Sequence, residues 1–448
     1  MRRSRLVLLA LTVAAAAAAP LRGAAQTLPP DSTVRQILNE RLSSTPFRGI
    51  VVGLLDADGR RRVVAVGVPA DRVFEIGSIT KVFTASLLAG MVADGSVRLD
   101  DPVGRFLPAA VRVPARNGRQ ITLVDLATQS SGLPRLPSNM TPRDSTNPYA
   151  DYSVEQMYTF LSSYELPRDV GETYEYSNLG VGLLGHALAL KAGTSYEELV
   201  RRRILAPLGM RESAITLSPA LRARLAPGHD AEGHVVPNWD LPTLAGAGAL
   251  RSTAADLLTF LAANLDSSAN PLTRALRQTH VSRHSAGSAT MTIGLAWHIL
   301  ARPGGASIVW HNGGTGGYRS FAGFDEVRRV GVVVLTNANI GADDIGFHLL
   351  DTSMPLQPPP RIHTEVAVDS QILNRYVGEY ELAPTFHIVV TREGAGLFIQ
   401  ATAQPKFPIF AESESDFFLK VVDAQITFSR DGLILHQNGQ NLPGKKIR

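Results

Sequence analysis

The strand-like segments of this chain fall at the two ends of one long region, and helix-like sequence fills the stretch between them. Residues 49–55 and 62–66 are apolar, β-branched runs on either side of Asp56-Ala-Asp-Gly59, a hairpin turn signal. Strand character returns at 307–310, 318–324 and 330–335, followed by a helical pattern over Asp343–Leu350. From about 120 to 265 the pattern is mainly helical, broken by loops rich in Pro and Asn. The longest loop, 134–149, holds four prolines and has the length of a lid over a site. Asp31-Ser32 can cap a first helix running to about Leu42. Such an order is satisfied most simply by one antiparallel sheet built from both ends, with helices on its faces and a mostly helical subdomain beside it, an α/β (α+β) arrangement.

At 448 residues the chain has room for a large domain and a smaller one. Residues 1–25 read as a signal peptide: Arg2, Arg3 and Arg5 precede an apolar run from Leu6 to Ala19, and small residues follow at 23–25. The run is short for a membrane span, so no stable span is expected after cleavage and the protein is expected to be periplasmic or extracellular. Removing it takes four arginines and no acid, bringing the formal charge from +4 to zero. The basic balance therefore does not point to nucleic acid. Without cysteine the chain has no disulfides or thiolate metal sites. A large domain over 27–353, a stiff Pro-rich linker over 354–364 and a C-terminal β domain over 365–448 are expected. The last is a sandwich or barrel, read from segments at 386–391, 397–401, 417–422, 425–429 and 433–437.

One helical pattern contains a residue that does not fit it. In "IGSITKVFTASLLAGM", starting at Ile76, apolar residues recur at helical spacing and the remainder are mostly Ala, Gly and Thr, yet Lys81 sits among them. The chain has six lysines, so this is not scattered surface charge. Positions three apart share a helix face, which sets Ser78 beside Lys81. A serine hydroxyl needs a base, and a desolvated lysine becomes one because burial lowers its pKa. Backbone N–H groups at the helix start can stabilise an oxyanion. A capping serine with a snorkelling lysine is the plainer alternative. Two further stretches bear on the choice: Tyr176-Ser177-Asn178 ahead of an apolar helix, and Trp310-His-Asn-Gly-Gly-Thr-Gly-Gly317 at a strand end.

Together these resemble the penicillin-recognising serine hydrolases, the group of class C β-lactamases, D-Ala-D-Ala carboxypeptidases and related esterases. S-x-x-K corresponds to Ser78 and Lys81, Y-x-N to Tyr176 and Asn178, and K-T-G, or H-x-G in some branches, to His311-Asn312-Gly313. The phrases "LDDPVGRFLP" from 99, "ITLVDLATQSSGLP" from 121, "ILAPLGM" from 204 and "GALRSTAADLLTF" from 248 extend the likeness over about 30–350. The segment 100–135 looks closest to a periplasmic carboxypeptidase/endopeptidase branch. The C-terminal region resembles a lipocalin-like β domain through "YVGEYEL" at 376 and "FFLKVVDAQITFSRD" at 417.

The resemblance implies that Ser78 is acylated and that Lys81 and Tyr176 share acid and base roles, Tyr176 as a phenol whose pKa a nearby ammonium lowers. It implies that Asn178 holds Lys81 and the substrate amide, and that the N–H groups of Ser78 and Gly314 form the oxyanion hole. His311, Asn312, Gly313, Gly314 and Arg319 would bind substrate. Histidine replaces the lysine of K-T-G, so a substrate carboxylate would bind there more tightly as His311 titrates, near pH 6.5 for a free imidazole. Arg319 either supplies the missing charge or is a solvated surface residue. No G-x-S-x-G elbow occurs, His280 and His284 lack an H-E-x-x-H context, and no cofactor or metal is expected. The expected activity is acyl-enzyme hydrolysis of a β-lactam, a D-amino-acid peptide or an ester. A carboxyl-esterase or D-aminopeptidase on the same machinery, or a non-catalytic scaffold, are the alternatives.

Overall fold

The structure, a computed structural model, describes residues 27–43, 48–338, 341–358, 363–384, 386–402, 406–420, 424–437 and 440–448. The signal-like segment 1–25 lies outside the described residues. Eight strands form one antiparallel sheet: β1 (Ile50–Leu55), β2 (Arg61–Val66), β3 (His284–Ser288), β4 (Met291–Ile293), β5 (His298–Ala301), β6 (Ser307–Gly314), β7 (Arg319–Asp325) and β8 (Val330–Thr336). Their order is β2-β1-β8-β7-β6-β5-β4-β3. The first strand thus pairs with the last, Ile50 opposite Thr336 and Leu55 opposite Gly331. The sheet is closed from both ends of the chain, as the sequence order implied.

Three strands, β3 to β5, were not expected. Their residues are mostly half-exposed and include "HSAGS" and a two-residue reversal, so no apolar alternation marks them. They pair at the sheet margin because β6 offers them an edge.

Strand alternation divides the core in two. Ile50, Val52, Leu54, Phe321, Val330, Val332 and Val334 face one cluster with helix α1 (Asp31–Leu42) and helix α5 (Asp343–Leu350). Val51, Leu55, Ala322, Phe324, Val333 and Leu335 face the other, shared with the helical subdomain. There lie α2 (Thr80–Ala93), α3 (Asn178–Ala192) and α4 (Ala254–Leu265). Because both faces are covered, every residue of β8 is buried. Helix α1 starts after Pro30 with no side-chain cap; Asp31 instead lies in its first turn, where a negative charge suits the helix dipole.

Beyond 365, eight antiparallel strands close into a barrel, the first (Gly378–Ala383) pairing with the last (Gln440–Lys446). It has its own apolar core, including Tyr380, Ile399, Phe417 and Ile426. Of the two expected forms, sandwich or barrel, the barrel is found. The strands Gly378–Ala383, Lys406–Ala411 and Gln440–Lys446 add to the five expected segments. No helix among the described residues is long and apolar enough to cross a membrane.

Candidate active site

Ser78 stands in a 3-10 turn, Gly77–Ile79, that runs directly into α2. The turn presses against the end of β6 on the sheet face that also bears the subdomain. Gly77 has φ +49, and a Cβ there would lie 2.8 Å from the Gly314 nitrogen. A Cβ on Gly313 would lie 2.0 Å from the Ile76 carbonyl oxygen. Both glycines are needed for this contact, which brings the backbone of Ser78 and Gly314 to one place. Ser78 remains half-buried, so its hydroxyl can be approached.

The second segment is set by a helix start. Ser177 caps α3, its hydroxyl oxygen accepting from Gly180 N–H at 2.8 Å and its hydroxyl donating to the Pro134 carbonyl at 2.6 Å. Its own N–H donates to Gln129 Oε1 at 2.7 Å. Asn178 and Leu179 N–H donate to the Arg135 carbonyl. These bonds tie the long loop to the Tyr176-Asn178 segment and turn Asn178 toward Lys81.

Lys81 is fully buried. Its Nζ lies 2.9 Å from Ser78 Oγ, 2.8 Å from Asn178 Oδ1 and 2.7 Å from the Ala247 carbonyl oxygen. No carboxylate pairs with it among the described residues. Burial, and then the Arg135 charge, hold its pKa well below the usual range. A neutral amine matches these neighbours: two N–H groups for two carbonyl oxygens, and a lone pair for the Ser78 hydroxyl proton.

Tyr176 reverses the sequence expectation. Its ring centroid lies 4.8 Å from Lys81 Nζ, yet burial pushes the phenol pKa up, against smaller opposing effects of Ser78 and Arg135. Desolvation is the largest influence on the phenol and decides the direction. It therefore favours the protonated phenol at Tyr176 and the neutral amine at Lys81.

The third motif is divided by strand alternation. His311 lies on the Tyr176 face, fully buried, with ring centroids 6.3 Å from Tyr176 and 5.2 Å from His298. Burial, then His298 and Lys81, drive its pKa well below the usual imidazole range; burial takes His298 down to about 4. His311 is thus a neutral wall of the site, contrary to the expected titrating cation. Asn312 emerges on the opposite face, donating to Asp343 Oδ2 at 2.5 Å at the start of α5. Arg319, opposite Gly314, shares that face, and Nη1 donates to the carbonyls of Thr315 and Tyr318. Both side chains therefore lie on the face away from His311, because successive residues of a strand point to opposite faces.

β5 begins opposite Trp310, so no strand among the described residues pairs with 311–314 on that side. His280 is buried between Asn264 Oδ1 and Glu326 Oε1, and His284 bonds the carbonyls of Gly171 and Ser285. The Ala247 carbonyl, Arg135, Tyr149, Tyr174 and His298 were missed from sequence. Tyr149 OH accepts from Asn178 Nδ2 at 3.1 Å, and Tyr174 OH bonds His298 Nε2 at 2.9 Å. Only Tyr174, two residues before Tyr176 on an extended segment, carried a usable signal.

Comparison with known proteins follows this division. Residues 34–348 match the family described as Beta-lactamase, and residues 363–436 match one described as Domain of unknown function (DUF3471). The D-alanyl-D-alanine-carboxypeptidase/endopeptidase AmpH of Escherichia coli (strain K12) is 31% identical over 278 residues, covering 59% of this chain and 71% of that protein. Penicillin-binding protein 4* of Bacillus subtilis (strain 168) is 26% identical over 400 residues, covering 82% of this chain and 86% of that protein. The octameric penicillin-binding protein homologue from Pyrococcus abyssi shares the fold with a TM-score of 0.62 at 22% identity, covering 92% of this chain and 99% of that one.

Proposed function

The chain belongs to the beta-lactamase family and is a serine hydrolase of the β-lactamase/penicillin-binding type, and from that premise we propose that Ser78 is acylated by an amide substrate, a β-lactam or a D-amino-acid peptide. The observation that carries this reading is the buried Lys81 amine, 2.9 Å from Ser78 Oγ with its two other near neighbours both carbonyl oxygens.

In the proposed reaction the Ser78 proton passes to Lys81 Nζ as Oγ bonds the carbonyl carbon. The carbonyl oxygen becomes an oxyanion between the N–H groups of Ser78 and Gly314. Collapse breaks the C–N bond, and the leaving nitrogen takes the Tyr176 proton, which Lys81 replaces. Water then adds to the acyl carbon, giving its proton to the same relay. The ester C–O bond breaks, the proton returns to Oγ, and the acid is released. The unpaired edge of 311–314 gives an extended substrate backbone a place to lie.

Labelling with a fluorescent penicillin, read by intact mass, tests this. Ser78→Ala should abolish labelling while the fold is retained, and labelling at another serine would refute the assignment. A carboxyl-esterase is the second reading, favoured by the neutral, buried His311, which gives a substrate carboxylate no charge. A panel of lactams, D-Ala-D-Ala peptides and short-chain esters decides between them.

Export across the inner membrane, with cleavage near residue 25, is part of the proposal and rests on the basic and apolar character of the first residues. A division into hydrolase and barrel units at 354–364 rests on the barrel's own core.

A further inference from the structure

The charged group at the mouth of this site comes from the long loop. Arg135 is exposed, and its guanidinium carbon stands 5.1 Å from the ring centroid of Tyr176. Its backbone is anchored: the Arg135 carbonyl accepts from Asn178 N–H at 3.0 Å and Leu179 N–H at 3.3 Å, and the Ser177 hydroxyl holds the preceding carbonyl. The side chain is therefore fixed at its root beside the catalytic segment and free at its tip.

Among the described residues no carboxylate or carbonyl oxygen receives its guanidinium. Neighbouring cations are engaged elsewhere: Arg168 pairs with Glu175, and Arg319 is held by carbonyl oxygens on the far face of the sheet. Lys81 is enclosed, and His298 and His311 are buried. A guanidinium lying over an aromatic ring keeps its edge donors for a ligand, and that edge matches a carboxylate.

Resting on the assignment of Ser78 as nucleophile, we propose that Arg135 is the specificity-determining residue of this site, selecting amide substrates that carry a free carboxylate. It takes the role that the resemblance gave to the third motif, from the long loop rather than from the strand.

The test compares N-acetyl-D-alanyl-D-alanine with its uncharged C-terminal amide, on the parent protein, R135Q and R135K. R135Q should lose about tenfold or more in kcat/KM for the acid beyond whatever it loses for the amide, mainly through KM. The loss common to both substrates is that of the Arg135 charge acting on Lys81. R135K should recover most of the loss. Equal losses on both substrates, or a parent protein that does not prefer the acid, overturn the proposal. A second arm needs no acylation: binding of the same acid to Ser78→Ala, with and without R135Q, by calorimetry. Equal affinities there also overturn it. Failure to label Ser78 in the parent, with Arg135-dependent binding intact in the second arm, counts instead against the nucleophile assignment.

Discussion

Asn178 Oδ1 lies 2.8 Å from Lys81 Nζ, close enough that the chemical type of one side chain sets the charge of the other. The amide accepts an N–H without supplying negative charge, so burial is left to keep the lysine neutral. Asn178→Asp should reverse this. A carboxylate at that distance favours the ammonium and raises the Lys81 pKa. Activity at pH 7 should fall about a hundredfold and recover as pH rises, moving the acid limb of kcat/KM upward. An unshifted pH profile would count against Lys81 as base.

The contact of Gly77 with Gly314 predicts a second outcome. Gly77→Ala places a methyl group 2.8 Å from the Gly314 nitrogen at a residue with φ +49. The strand end must move, and two donors meant to act together separate. kcat should drop by about 10²–10³, with about 1–3 kcal/mol lost from stability. Steady-state kinetics with parallel thermal unfolding measures both, and near-normal kcat would show that Gly314 does not serve the oxyanion.

His298 predicts a pH dependence of stability. Its folded pKa, about 4, lies below the ordinary value, so between about 4 and 6.5 the unfolded chain binds more protons. Stability should therefore be lost as pH falls through that window, by up to about 3 kcal/mol from this group. Thermal unfolding at pH 7 and 4.5 should show a smaller loss in His298→Gln than in the parent. An equal loss in both would assign acid lability to other groups.

His311 carries the opposite expectation from the one its motif position suggested. Because burial favours its neutral form, the ratio of kcat/KM for an anionic and a neutral substrate should show no step near pH 6.5, the ordinary imidazole value. His311→Lys should destabilise by burying an ammonium near Lys81 rather than improve anionic substrates. A step in that ratio near pH 6.5 would restore His311 as the charge reader.

What could be read in advance follows physical lines. The central strands were legible because both faces of β1 and β8 are covered and their residues are β-branched or apolar. Ser78 and Lys81 were legible because a lysine among apolar residues demands a cause. β3 to β5 were not, since half-exposed marginal strands lack the pattern. Arg135 was not, since its importance comes from a loop folded onto α3 rather than from local spacing. The proton on Tyr176 was not legible either, because spacing reveals a neighbouring lysine and not its desolvation.

Closure of the C-terminal barrel also limits how this protein can meet others. A β-sheet edge recruits partners through its backbone, with little regard to sequence. The pairing of Gly378–Ala383 with Gln440–Lys446 removes that edge among the described residues, while the eight-stranded sheet still ends at β2 and β3. Any association through the barrel must be read by side chains and loops, and so be selective. Strand-to-strand association belongs to the other sheet, whose β2 margin begins with Arg61-Arg62. Arg62 is tied to Asp31 and Asp56, and the exposed Arg61 is the charged residue there that discourages a second copy from docking in register.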